Sequence, residues 1–436
     1  MPELASLTIQ QMSQKIASGE LKPSDLMEAH VARIDEIESC VRAWAHYDPN
    51  IALMSARLAD TRPIDHPLYG IPFGVKDIID AVVYPTEHGT PIHQGNQSRR
   101  DAACVALLKE AGSIVLGKAV TTELAHFHPG KTRNPHALTR TPGGSSSGSA
   151  AAVAAGMVPF ALGTQTTGSV LRPASYCGVY GFKPSFGDVN RSGVFECVSS
   201  FDTVGWFTRC VDDVEIVRQA LVRLPSKPLE AKELGQLRIG LFRGSNWESA
   251  ESTTQKAIEQ AASTLARSGA KVTDVATPDW FSDLAEHHRR VAGFEFARAI
   301  SFERVEHPNL LSRKLVDGRC EDGLQLSYTD YIAAQEALAR ARLEFAELMQ
   351  DCDVLLTPSA PGEAWEGQSA TGDPVFNKAW TALHVPAISI PAFKGPSGLP
   401  VGLQLVGRFR RDRELLETAS IAAAALDVST AASAKL

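Results

Sequence analysis

PGGSSSGSAAAVAAGMVPFALGTQTTGSVLRP, residues 142–173, carries loop, helix, strand and turn in one short run. A Ser/Gly cluster at Gly143–Ser149 leads into an Ala-rich helix, Ala150–Ala155, which Gly156 ends. Val158–Leu162 follows as a strand, and Gly163–Gly168 as a Gly/Thr turn. Ser169 stands where a new helix should begin, and Pro173 suits an early helical turn. Helix and strand alternate again on either side. Leu7–Ser18 reads as a helix stopped by Gly19. Pro23 begins a second, with Leu26, Met27, His30, Ile34 and Ile37 at helical spacing. Strands are expected near Val41–Tyr47, Ile71–Lys76, Ser113–Leu116 and Gly178–Phe182, and a helix over Asp101–Gly112. Further on come strand Leu237–Phe242, helix Thr253–Arg267 and strand Lys271–Val275. Helical runs at Trp280–Arg298 and Tyr331–Met349 precede strands near Val354–Thr357, Ala387–Pro391 and Val401–Val406. Arg413–Ala425 reads as the last helix. This alternation predicts an α/β fold: a central mixed, twisted sheet covered by helices on both faces. Leu224–Gly235 is a linker candidate, but its composition is too mild to divide the chain, so one large domain is expected.

Composition narrows the class. The chain has 436 residues, 44% hydrophobic and 21% charged, ordinary for a globular protein. A net charge of −7 offers no electrostatic footprint for nucleic acid or an anionic membrane. No apolar run is long enough to span a bilayer, and the opening Met1-Pro-Glu-Leu lacks the pattern of a secretory leader. Seven scattered cysteines without a C-x-x-C pair read as reduced thiols of a cytoplasmic protein.

Three segments carry chemistry. In Gly70-Ile71-Pro72-Phe73-Gly74-Val75-Lys76-Asp77, Ile71, Phe73 and Val75 face one way and Pro72, Gly74 and Lys76 the other. Burial of a lysine there disfavours its charged form and turns it toward a general base. The other reading is a surface lysine paired with Asp77. In Pro142–Ser149, glycines either loosen a linker or let the loop hold a serine hydroxyl in a fixed place. In Gly163–Pro173, Ser169 either caps an ordinary turn or sits among free N–H groups that can receive an oxyanion.

In combination these segments resemble the amidase signature family, whose members hydrolyse amides, amidated acids and sometimes carbamates or esters. The lysine motif G-I-P-x-x-x-K-D, the P-G-G-S-S-x-G block and the G-S-x-x-R-P block stand in the family's order, and the spacing from Ser145 to Ser169 is the family's. Thr121-Thr122-Glu123, Asn134-Pro135, Gly181-Phe182-Lys183-Pro184 and Gly398–Gln404 extend the likeness over nearly the whole chain. Gly163–Thr166, Leu171-Arg172-Pro173 and Thr371-Gly372-Asp373-Pro374 are similar to malonamidase-type enzymes. Gln165 stands where many members carry Asp, and Thr167 where many carry Gly.

The resemblance implies an amidase signature fold over 1–436, with 65–190 as catalytic core and 1–40 as N-terminal helices. It implies that Lys76 is a neutral base and that Ser145, after a cis peptide bond, bridges it to the nucleophile Ser169. Thr166, Thr167, Gly168 and Ser169 would supply oxyanion N–H groups. Arg172 would bind a substrate carboxylate, or else hold the turn by an ion pair. No cofactor or metal is implied. The substrate would be a small amide or an amidated carboxylic acid, with no nucleic-acid or membrane partner, and a homodimer is in keeping with the family. Two alternatives share the motifs: an amidotransferase A-like subunit of a tRNA-amidating complex, and a carbamate or aryl-amide hydrolase.

Other patterns compete. Gly144–Gly148 also fits G-x-S-x-G, with Ser146 as nucleophile and Asp353 and His384 as partners, although no strand precedes it. Ser268–Lys271 fits S-x-x-K but lacks partner motifs, and Gly130-Lys131-Thr132 lacks the first glycine of a P-loop, where Ala125 stands. His126 and His128 are either part of the pocket mouth or a surface loop; as metal ligands they lack a third partner. Phe127, Phe195 and Trp365 are candidate pocket walls by loop position.

Overall fold

The computed structural model describes residues 2–61, 66–230, 233–428, 430, 431 and 434. Positions 1, 65 and 436, which bound the expected segments, and 231–232 of the linker candidate therefore lie outside the described residues.

An eleven-stranded mixed sheet forms the centre of a single α/β domain. In chain order the strands are β1 (Trp44–Tyr47), β2 (Pro72–Lys76), β3 (Ile114–Ala119), β4 (Phe160–Gln165), β5 (Tyr180–Lys183), β6 (Thr203–Thr208), β7 (Arg238–Phe242), β8 (Lys271–Val275), β9 (Val354–Pro358), β10 (Ala387–Lys394) and β11 (Pro400–Val406). Their spatial order is β1-β3-β2-β4-β6-β5-β10-β11-β9-β7-β8. β2 runs parallel to both β3 and β4, and β7 parallel to β8 and β9; the remaining pairs are antiparallel.

Central strands are buried along their whole length, as strands covered on both faces must be. Two apolar cores flank the sheet. On β9, Val354 and Leu356 join one core and Leu355 the other, so side-chain alternation places the cores on opposite faces. Helices Ile9–Ala17, Pro23–Val41, Ser147–Ala154, Val211–Leu221 and Asp412–Ala425 feed the first core; Leu284–Ala299 and Tyr328–Leu348 feed the second. Among the described residues no helix is long and apolar enough to cross a membrane.

The structure corrects several boundaries. β4 continues to Gln165, beyond the expected Val158–Leu162, because Gly163, Thr164 and Gln165 pair with Gly205, Val204 and Thr203. That partner strand, β6, was not foreseen: its glycine and threonines hide the apolar alternation, yet a Cβ on Gly205 would lie 2.4 Å from the Phe182 carbonyl oxygen. The Ala-rich helix starts at Ser147, inside the Ser/Gly cluster. A 3₁₀ turn, Asp279–Asp283, precedes helix Leu284–Ala299, so the expected helix from Trp280 is delayed. Gly74 and Gly117 are small because the Trp44 ring lies over both; a Cβ on either would come within 3.2 Å of it.

Candidate active site

Lys76 ends β2 at the parallel edge shared with β3 and β4, and it is fully buried. Its Nζ lies 2.7 Å from Ser145 Oγ and 2.8 Å from Thr164 Oγ1. Both partners are hydroxyls. Burial outweighs the nearby Cys197 and Asp202 and brings its pKa down to about 7. The alternative pairing with Asp77 does not form: Asp77 faces Lys118 at 3.3 Å and accepts the Glu87 N–H. Lys183 is equally buried and also lowered to about 7, but it donates to the Pro184 carbonyl. A depressed pKa alone therefore does not mark a base; the adjoining hydroxyls distinguish Lys76.

Ser145 is presented by a rigid loop. Gly143 takes φ +82°, where side chains are strained, and the Gly144–Ser145 peptide is cis. The Ser146 hydroxyl clamps β4, accepting the Thr164 N–H and donating to the Thr164 carbonyl, both at 3.2 Å. Gly148, the second residue of the helix, lies against the end of β3. A Cβ there would lie 2.3 Å from the Ala43 oxygen and 2.4 Å from the Val120 nitrogen, so this glycine answers a close approach of backbones.

The turn 166–169 is fixed from every side. Gln165 Oε1 accepts the N–H groups of Val170 and Leu171, at 2.9 and 3.1 Å, and its Nε2 donates to Thr381 Oγ1. Gln165 thus caps the start of helix Leu171–Cys177, the helix expected after Ser169, with Pro173 in its first turn. The Thr166 hydroxyl donates to buried Asp202, which also accepts the N–H groups of Cys197 and Val198. His288 Nε2 donates to the Thr166 carbonyl, and Thr381 Oγ1 to that of Thr167. A Cβ on Gly168 would lie 2.6 Å from Asn377 Oδ1. The N–H groups of Thr166, Thr167, Gly168 and Ser169 meet no acceptor among the described residues. They form a run of unspent donors beside the Ser169 hydroxyl.

Ser145, Thr166, Thr167, Ser169 and Arg172 share one tight cavity of about 20 Å³, closed by Ala125, His126, Phe127 and Arg319. A larger cleft of about 430 Å³, lined by Asp77, Glu87 and Lys131, includes neither serine. Arg172 is 2% exposed and donates through Nη2 to the Gly144 carbonyl at 2.5 Å and to Thr371 Oγ1 at 3.2 Å. Its Nε and Nη1 are buried without a partner among the described residues, so in place of the alternative ion pair it makes hydrogen bonds through Nη2 and leaves two of its three guanidinium nitrogens over. Arg319 was missed from sequence. It comes from a π-helical segment, Val316–Cys320, far along the chain, and its Nη2 reaches Thr167 Oγ1 at 3.4 Å. No local pattern announces it. Asp202 and Thr164 were missed for the same reason.

The rival constellation is not assembled. Ser146 is spent on the β4 backbone, His384 bonds the Ser200 carbonyl, and Asp353 pairs with Arg238. Of the candidate walls, Phe127 lines the cavity; Phe195 packs on His88, and Trp365 is 41% exposed. His126 lines the cavity and His128 does not.

Comparison with known proteins shows the family and the fold. A family model described as Amidase matches residues 25–416. The A-type subunit of the glutamyl-tRNA(Gln) amidotransferase of Chloroflexus aggregans is 32% identical, over 94% of each chain. The solved peptide amidase from Stenotrophomonas maltophilia superposes with a TM-score of 0.86 at 27% identity, covering 100% of this chain and 99% of that one. A chain from a vestigial complex linked to the origins of an s-triazine catabolic enzyme gives a TM-score of 0.88 at 26% identity, covering 99% and 100%.

Proposed function

Since this chain belongs to the amidase signature family and is an enzyme acting on carbon–nitrogen bonds of amides, we propose that it hydrolyses small amides through an acyl-Ser169 intermediate. In this reading neutral Lys76 takes a proton from Ser145, which takes one from Ser169. Ser169 attacks the carbonyl, and the N–H groups of Thr166, Thr167, Gly168 and Ser169 receive the oxyanion. The relay returns a proton to the leaving amine. Water, activated by the same relay, then releases the acid. The observation that carries this reading is a fully buried lysine whose two hydrogen-bond partners are hydroxyls, one of them Ser145.

The substrate class follows from the spare donors. Arg172 keeps Nε and Nη1 unmatched, and Arg319 adds a second guanidinium to the same tight wall. Buried donors without acceptors are uncommon, and charged N–H groups suit a carboxylate. A short amidated carboxylic acid is therefore the favoured substrate, in line with the malonamidase-like motifs. The test is an ammonia-release screen over amides with and without a carboxylate. Ser169→Ala should abolish release and the acyl adduct seen by mass spectrometry; turnover surviving in that variant would refute the assignment.

The amidotransferase relatives favour a second reading, an A-like subunit that passes ammonia to a partner. Free-standing amidase activity of the purified single chain separates the two. We further assign the enzyme to the cytoplasm, supported by seven free cysteines, and to a homodimer, which analytical ultracentrifugation would test.

A further inference from the structure

We propose that His126 is a substrate-binding residue, its imidazole hydrogen-bonding the carboxylate end of the acyl group beside the Arg172 guanidinium. The proposal rests on the acidic-amide reading above and deepens it.

His126 is 6% exposed and lines the same cavity as Ser145, Ser169 and Arg172. Its ring is firmly held: it stacks on Phe296 with centroids 4.9 Å apart and meets the edge of Phe127 at 4.7 Å. The backbone beneath it is tied down too. The His126 N–H donates to the Glu123 carbonyl at 2.8 Å, and the Glu123 carboxylate accepts the N–H and hydroxyl of Ser312, which opens the segment leading to Arg319. The two pieces of the cavity roof are thus joined through one buried carboxylate.

What sets His126 apart is that neither ring nitrogen has a partner among the described residues, although both are buried. A neutral imidazole always offers one N–H donor and one acceptor lone pair. Elsewhere among the described residues at most one ring nitrogen of a histidine is buried and unmatched, as in His30, His88 and His287. His30, His136, His288 and His384 each contact a backbone carbonyl. A polar ring fixed by stacking and left unmatched in the wall of a catalytic cavity is matched by the ligand. Burial first, then the charges of Arg319 and Lys314, hold the ring well below its usual pKa, so it stays uncharged. It therefore adds direction to carboxylate binding without adding charge. A carboxylate has enough lone pairs to take an Arg172 N–H and an imidazole N–H together.

The experiment compares wild type, His126→Phe and His126→Asn on a short dicarboxylic acid monoamide and on the neutral amide of the same length. His126→Phe keeps the aromatic packing and deletes the hydrogen bond. It should raise KM for the acidic amide about 10- to 100-fold, leave kcat within about 3-fold, and lower kcat/KM for the neutral amide at least about 5-fold less than for the acidic one. His126→Asn retains a donor and should recover most of the acidic-amide KM; it also stands in if the Phe variant does not fold. The rise in Tm caused by the free dicarboxylate product should shrink in His126→Phe, a readout independent of turnover. Equal losses on both amides, or no loss, would overturn the role of His126 while leaving the amidase reading intact. A wild type inactive on every amide, with no acyl adduct, would instead remove the reading on which it rests.

Discussion

Lys76→Met tests whether the buried amine is stored in the fold at a measurable energetic penalty. A lysine that titrates near 10.5 when unfolded and at about 7 when folded binds fewer protons in the native state between those values. The unfolded chain holds the extra proton, so stability rises with pH through that window, and the penalty is complete below pH 7. Worked through, the wild type carries roughly 4 kcal/mol of destabilisation at pH 7 and roughly 2 kcal/mol at pH 9. Methionine fills nearly the same volume and has no proton to lose. It also forfeits two hydrogen bonds, to Ser145 and Thr164, at roughly 1 kcal/mol each, but that loss does not depend on pH. Urea unfolding of both proteins at pH 7, 8 and 9 should therefore show Lys76→Met inactive, more stable relative to wild type at pH 7, and losing about 2 kcal/mol of that advantage by pH 9. Parallel stability curves for the two proteins would refute the depressed pKa. Normal turnover in the folded variant would refute the base itself.

Three further outcomes are expected. The kcat/KM profile of the wild type should rise through about pH 7 as Lys76 loses its proton in the free enzyme, and a profile flat from pH 5.5 to 8.5 would contradict the relay. Arg172→Lys should cost the acidic amide at least about 10-fold more in kcat/KM than the neutral one, because an ammonium cannot replace a planar fork; an equal loss for both would reduce Arg172 to a support of Gly144. Gly148→Ala should destabilise by about 3 kcal/mol or more in thermal unfolding, since the added carbon meets two backbones that cannot step aside, and a variant melting like wild type would deny that close approach.

The two serine blocks and the lysine motif were readable because each ties its residues to local necessity. Gly143 needs a positive φ, Gly148 needs room, and Ser146 stitches loop to strand, so the order of residues reports the loop's shape. Helices with a regular apolar stripe, such as Pro23–Val41, were equally visible. β6 was not, because its residues are chosen for neighbours on β4 and β5 and not for a pattern of their own. The partners of Asp77 and Arg172 were open for a related reason: sequence states that a charge exists, and packing decides what it meets.

Sequence by itself thus determined the α/β alternation and the family, and it singled out the lysine and serines proposed for the chemistry, since those depend on backbone period and on residues close along the chain. Tertiary structure alone decided that burial disfavours the charged form of Lys76, that Asp202 and Gln165 brace the donor turn, and that Arg172 and His126 face the cavity with unmatched nitrogens while Arg319 closes it. Desolvation and hydrogen-bond satisfaction are properties of the space around a group, and that space is built by segments far apart in the chain.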